Sequence, residues 1–182
     1  RNFHIFYQLV RGSLASKYHV DQPLETFHYL NSGTFDAEDI DDVEEFNEVL
    51  EGFDIIGFSE EEKDWLFRVV AAVLKLGNLE FAPSADELGS KVVDTSLIAE
   101  ISDLLSVSKD KLTESVLSRW FVIRGQDPTK IPFKPHEARD ACDALSKAIY
   151  GEMFNWLVQR INQSVEVKSG KTQRFIGVLD IF

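Results

Sequence analysis

Apolar residues recur at helical spacing along most of this chain. Phe3, Phe6, Tyr7 and Val10 share one side of a segment from about Asn2 to Ser13, the pattern of an amphipathic helix. A loop-rich stretch follows through Thr34. From Asp41 a short helix carries Val43, Phe46, Val49 and Leu50 on one face, and Gly52 is placed to end it. Ser59-Glu60-Glu61-Glu62 reads as a capping box. The helix behind it presents Leu66, Val69, Val70 and Val73, and Gly77 is expected to supply its left-handed cap. Pro83 to Lys91 is small, polar and charged, which predicts a surface loop. Leu97, Ile98, Ile101, Leu104 and Leu105 mark another helix, and Lys109 to Leu117 a further short one.

The period then changes. Arg119 to Arg124 reads as a strand around Trp120, Phe121, Val122 and Ile123. Lys130-Ile131-Pro132-Phe133-Lys134 can return beside it, as a short or edge strand, because Pro132 lacks a backbone N–H. The longest helix runs from Pro135 to about Val165, with Ala138, Ala141, Leu145, Ile149, Met153, Trp156 and Ile161 in phase; it spans roughly 45 Å at 1.5 Å per residue. A polar turn, Lys168 to Gln173, leads to the nearly all-apolar run Phe175 to Leu179, the pattern of a buried strand. The fold class is therefore α+β and mostly helical, with an aromatic hairpin and a terminal strand.

Asp180 stands at the end of that last strand. In open α/β sheets ligands bind outside the carboxyl ends of the strands, and a carboxylate there can hold a Mg²⁺-bound phosphate. The competing reading is an aspartate that caps the next turn. Read alone, the residue supports the two about equally.

The chain has 182 residues, 44% of them hydrophobic and 27% charged, enough for one domain with a sizeable core. No apolar run approaches the roughly 20 residues needed to span a bilayer. Cys142 is the only cysteine, which excludes an internal disulfide and fits a reducing compartment. The net charge of −12 argues against nucleic acid or an anionic membrane as a partner of the bulk surface. One region departs from it. Between Arg119 and Lys134, Arg119, Arg124, Lys130 and Lys134 face one acid, Asp127, for a local charge of +3.

Five strings occur in a telling order: Arg1-Asn2-Phe3-His4-Ile5-Phe6-Tyr7-Gln8-Leu9; Tyr29-Leu30-Asn31; Leu74-Lys75-Leu76-Gly77-Asn78-Leu79-Glu80-Phe81; Asp143-Ala144-Leu145-Ser146-Lys147-Ala148-Ile149-Tyr150 with Phe154 and Trp156-Leu157-Val158; and Phe175 to Phe182. Each resembles a stretch of myosin motor domains, between the segment that follows switch I and the switch II strand. The resemblance covers essentially the whole chain. It implies an internal piece, residues 1–182, of a P-loop myosin motor. That piece is mostly the upper, actin-facing subdomain, with the switch II strand at its C-terminus and the phosphate loop and switch I upstream.

The resemblance also assigns roles. Asp180 would contact the Mg²⁺ shell through water, with Asp180, Ile181 and Phe182 on the nucleotide side. Cofactors would be ATP and Mg²⁺. The basic hairpin occupies the place of the family's actin-touching surface loop, so Arg124, Gly125, Gln126, Asp127, Pro128, Thr129 and Lys130 are the candidate actin-binding residues. Asp127 lies sixteen residues before Asp143, where the family carries an acid or a phosphorylatable hydroxyl; Thr129 is close enough to compete for that role. Partners would be the actin filament, and light chains or calmodulin through a neck absent here, with no nucleic acid and no direct membrane insertion. The expected location is cytoplasmic, on the actin cytoskeleton. The intact protein would be an ATPase and this piece alone inactive. Two alternatives stay open: another P-loop NTPase motor, or a myosin-like actin-binding scaffold without ATPase activity.

Other chemistry is weaker. Gly170-Lys171-Thr172 invites a phosphate-loop reading, but Val165 stands where the first glycine belongs, and the segment follows a helix. The acids between Asp36 and Glu51 do not form a calcium loop, because Val43 falls on a ligand position; they read as a solvated helix face. The four histidines form no zinc pattern, and Cys142 reads as a buried, inert thiol.

Overall fold

The computed structural model describes residues 1–125, 127–166 and 177. The described residues form six α-helices and two small hairpins: α1 (His4–Arg11), α2 (Asp42–Ile56), α3 (Glu60–Gly77), β1 (Phe81–Pro83), β2 (Ser90–Val92), α4 (Thr95–Leu105), α5 (Lys109–Leu117), β3 (Ser118–Phe121), β4 (Thr129–Pro132) and α6 (Pro135–Val165). Two 3₁₀ turns, Ser16–Tyr18 and Leu24–Thr26, interrupt the loop between α1 and α2. The chain is mostly helical, as its periodicity predicts. The expected turn Lys168–Gln173 lies outside the described residues, as does the strand Phe175–Leu179 apart from Gly177.

Helix starts follow the sequence signals. Asp41 caps α2 by accepting from the N–H groups of Val43 and Glu44, at 2.9 and 3.1 Å. Ser59 and Glu62 form the expected capping box on α3. Two of the expected ends differ. α2 does not stop at Gly52. It continues through Phe53 and Ile56, which pack against the core, and closes at Gly57 with φ 81°. Gly77 is not a left-handed cap either. It is the last residue of α3, and Asn78 follows in right-handed geometry, φ −88° and ψ −1°. Pro83 to Lys91 is not all loop. Phe81 pairs with Val92 and Pro83 with Ser90, leaving only residues 84–89 as the turn.

α3 is the spine. Leu66, Phe67 and every residue from Val69 to Gly77 are buried. On one side α3 meets α1, α2, the loop and α6, through Tyr7, Leu9, Phe27, Leu30, Phe46 and Met153. On the other, Ala72 and Leu76 join Ile98, Ile101, Leu112, Val116 and Cys142 from α4, α5 and α6.

α6 runs antiparallel across α3 and is tied to both of its ends. Arg139 donates to the carbonyls of Leu76, Gly77 and Leu79 at 2.9–3.2 Å. Leu76 and Gly77 are the last two residues of α3, where carbonyls run out of i+4 amides within the helix, and Leu79 lies two residues beyond it. Arg160, further along α6, donates to Glu62 at 2.7 Å and to the Gly57 carbonyl at 2.7 Å. One long helix therefore holds the C-terminus of α3, its capping box, and the end of α2.

Candidate functional site

β3 and β4 form an antiparallel hairpin that leaves the body between α5 and α6. Its register pairs Ser118 with Pro132, Arg119 with Ile131, Trp120 with Lys130 and Phe121 with Thr129. With only two strands both are edges, so Pro132 costs no ladder bond beyond the hairpin's end. The base is fastened to the body. The Ser118 hydroxyl donates to the Glu114 carbonyl, and the Phe133 N–H to that of Leu117 at 2.8 Å. The tip turns at Arg124 and Gly125, the latter with φ 84°, a conformation that favours glycine.

The apolar part of the hairpin faces solvent. Trp120, Phe121, Val122 and Ile123 are between 45 and 68% exposed. Four consecutive exposed apolar residues among basic ones form a contiguous apolar patch, the kind of surface that marks a candidate contact site. The basic charge is partly committed: Lys130 pairs with Glu114 at 2.8 Å and lies 6.0 Å from the Trp120 ring centroid, while Arg119 and Arg124 are exposed. Of the seven expected contact residues, Arg124, Gly125, Asp127, Pro128, Thr129 and Lys130 are all exposed, and Gln126 lies outside the described residues. Asp127 is in the turn and Thr129 opens β4, so exposure does not choose between them.

The expected nucleotide-side residues Asp180, Ile181 and Phe182 lie outside the described residues. Among the described residues no cluster of His, Cys, Asp or Glu could hold a metal ion. Nor is any helix there long and apolar enough to cross a membrane.

Three of the five sequence strings meet at a polar junction that separate motif reading does not reveal. The Tyr29 hydroxyl donates to Asp143 at 2.6 Å and lies 3.1 Å from the Ser146 hydroxyl. Asp143 also pairs with Arg139 at 2.6 Å, and Arg139 holds the end of α3. Burial pushes the Tyr29 phenol well above its ordinary value, and the bond to Asp143 adds to that. Arg139 carried no motif. Its signal was the i, i+4 spacing to Asp143 on one helix face. Cys142, one position from this junction, is fully buried with its thiol 3.4 Å from the Leu76 carbonyl, and burial pushes it up to about 11.

A helical body strapped around one buried helix, with an apolar, basic hairpin held out to solvent, defines a mostly helical domain with one exposed two-stranded projection. Residues 1–182 match the model of the myosin head (motor domain) along their whole length, and the chain belongs to that family. It is 43% identical over 189 residues to a myosin-I heavy chain of Dictyostelium discoideum, covering all of this chain and 8% of that protein. It is 36% identical over 192 residues to unconventional myosin-Ib of Rattus norvegicus, covering all of this chain and 16% of that protein. To the high molecular weight form of myosin-1 of Acanthamoeba castellanii it is 40% identical over 169 residues, covering 87% of this chain and 10% of that protein. The chain thus spans a small part of the relatives it matches.

Proposed function

We propose that these 182 residues are the upper, actin-facing part of a P-loop myosin motor that couples Mg²⁺-ATP hydrolysis to force on actin filaments. The observation that carries this reading is the match of the whole chain to the myosin head. The exposed apolar and basic hairpin agrees with it, since a net charge of −12 leaves few surfaces suited to an acidic filament. In this reading residues Arg124 to Lys130 contact actin. Asp180, with Ile181 and Phe182, belongs to the nucleotide side, where Asp180 orients water on Mg²⁺. The phosphate loop and switch I belong upstream, the rest of switch II downstream, and light chains or calmodulin bind a neck further on. The motor works in the cytoplasm on the actin cytoskeleton, and residues 1–182 alone hydrolyse no ATP.

The test uses the full-length protein that carries this segment. Actin-activated Mg²⁺-ATPase is measured beside actin co-sedimentation, for the natural sequence and for Asp180→Ala. The motor reading expects actin-stimulated turnover that falls strongly in the variant. Co-sedimentation without any turnover would assign the protein to the scaffold class instead. Turnover unchanged by Asp180→Ala would leave that aspartate a structural role only.

A further inference from the structure

We propose that Gly89 and Lys134 are positioning residues, through which the loop between β1 and β2 braces the β3–β4 hairpin at a fixed angle to the helical body. This rests on the reading that the hairpin contacts actin. A two-stranded hairpin is marginal alone, and the tip of this one is apolar and exposed. From Ser118 through β3 to the turn at Gly125 the chain reaches about 20 Å at roughly 3.3 Å per residue, so a tilt of a few degrees at the base moves the tip by more than about 1 Å. Whatever fixes the base therefore sets where the contact face sits.

The loop of residues 84–89 has the build of a brace. It is stiffened from within. The Ser84 N–H donates to the Gly89 carbonyl at 3.1 Å, and the Gly89 N–H to the Ser84 hydroxyl at 3.0 Å. Asp86 accepts from the Ser84 hydroxyl at 2.5 Å and from the Leu88 N–H at 3.1 Å. It then meets the end of the hairpin's return strand at Pro132, and the link from that strand into α6 at Lys134, the residue that precedes the helix. Lys134 donates from Nζ to the Glu87 carbonyl at 2.6 Å. Gly89 lies so close to Pro132 that a Cβ added to it would stand 2.9 Å from the proline Cβ. Pro132 is the last residue of β4, opposite Ser118, so contact there acts on the hinge end of the hairpin. Neither point lies in the segment from Arg124 to Lys130 read as touching actin.

The experiment compares Gly89→Ala, Lys134→Met, Lys134→Arg and the hairpin variant Arg124→Ala in the full-length motor. It reads the actin concentration for half-maximal activation, the maximal rate, the basal Mg²⁺-ATPase and the melting temperature. Gly89→Ala and Lys134→Met are expected to raise the half-maximal actin concentration severalfold while basal turnover stays unchanged. Lys134→Arg, which can still donate, should keep the natural value. Adding Pro132→Gly to Gly89→Ala should restore it by removing the clashing carbon. If Arg124→Ala weakens activation but Gly89→Ala and Lys134→Met do not, the brace is wrong and the hairpin reading stands. A parallel fall in melting temperature and basal rate would also overturn the brace, by making it a folding effect. If Arg124→Ala leaves actin activation unchanged too, the hairpin reading fails and the brace with it.

Discussion

The ring of Tyr29 lies so close to Gly77 that a Cβ at that position would stand 2.8 Å from its nearest carbon. The glycine at the end of α3 is required by that approach and not by its own backbone angles. Gly77→Ala is therefore expected to destabilise the protein by about 1–3 kcal/mol, the usual range for overpacking. In a Tyr29→Leu background the cost should shrink, because the ring that clashes is gone. Chemical denaturation of the four proteins of this cycle measures the coupling; equal costs with and without the ring would refute the packing explanation.

Gly52 and Gly57 should respond in opposite directions to the same change. Gly52 is inside α2 with open space around its missing side chain. Gly52→Ala should stabilise the protein by about 0.5–1 kcal/mol through helix propensity. Gly57 sits at φ 81°, and alanine there should cost about 1 kcal/mol or more. Urea midpoints for the two variants, taken side by side, check both signs.

Arg160 should stabilise the fold more at neutral pH than in acid. It is the main cause that holds the Glu62 carboxyl below its usual range, with the Ser59 N–H contributing next. A carboxylate with a lowered folded-state value contributes stability above its unfolded value, roughly pH 4.3, and loses it as pH falls through the folded one. The gap between the natural protein and Arg160→Met should thus narrow on acidification. Part will remain, since Arg160 also donates to the Gly57 carbonyl at any pH. Urea midpoints at pH 7 and pH 3 measure the narrowing; a constant gap would mean that only the carbonyl bond matters.

Cys142 should be almost unreactive in the folded protein. Its side chain is fully buried, and burial raises its thiol to about 11, so little thiolate is present at neutral pH. A thiol-specific chromogenic disulfide should label it slowly in native buffer and rapidly in denaturant. Native labelling at the denatured rate would show that the α3–α6 contact opens readily.

Much of the helical order was legible because it depends on local signals. Ser59 and Glu62 sit three residues apart as a capping box must, and the apolar phase of α6 holds from Ala138 to Trp156. What the pattern missed depends on distant partners. Nothing near Gly77 tells that Tyr29 will lie against it, and nothing near Gly52 tells that Phe53 and Ile56 will be pulled onto the core. The strands β1 and β2 are three residues each, too short for an alternating pattern to stand out. The hairpin was visible as an aromatic and basic run. Its exposure and the loop beneath it required the fold.

Asp127 is proposed as a fixed negative charge in the turn of the hairpin, where regulated members of the family carry a hydroxyl. A phosphate adds about −1.5 to −2 charges, so an aspartate reproduces part of that effect permanently. Its neighbours Arg124 and Lys130 keep the surroundings positive, which confines its action to local contacts. Actin activation of the full-length motor should then be insensitive to kinase treatment, and Asp127→Ala should weaken it severalfold. Thr129 is the competing position. It opens β4 opposite Phe121, is exposed, and its hydroxyl is open to a kinase. Thr129→Ala is therefore measured in parallel, with and without kinase. If only the threonine change alters actin-activated turnover, and kinase raises the activity of the natural protein, the regulatory position is Thr129 and the aspartate is a bystander.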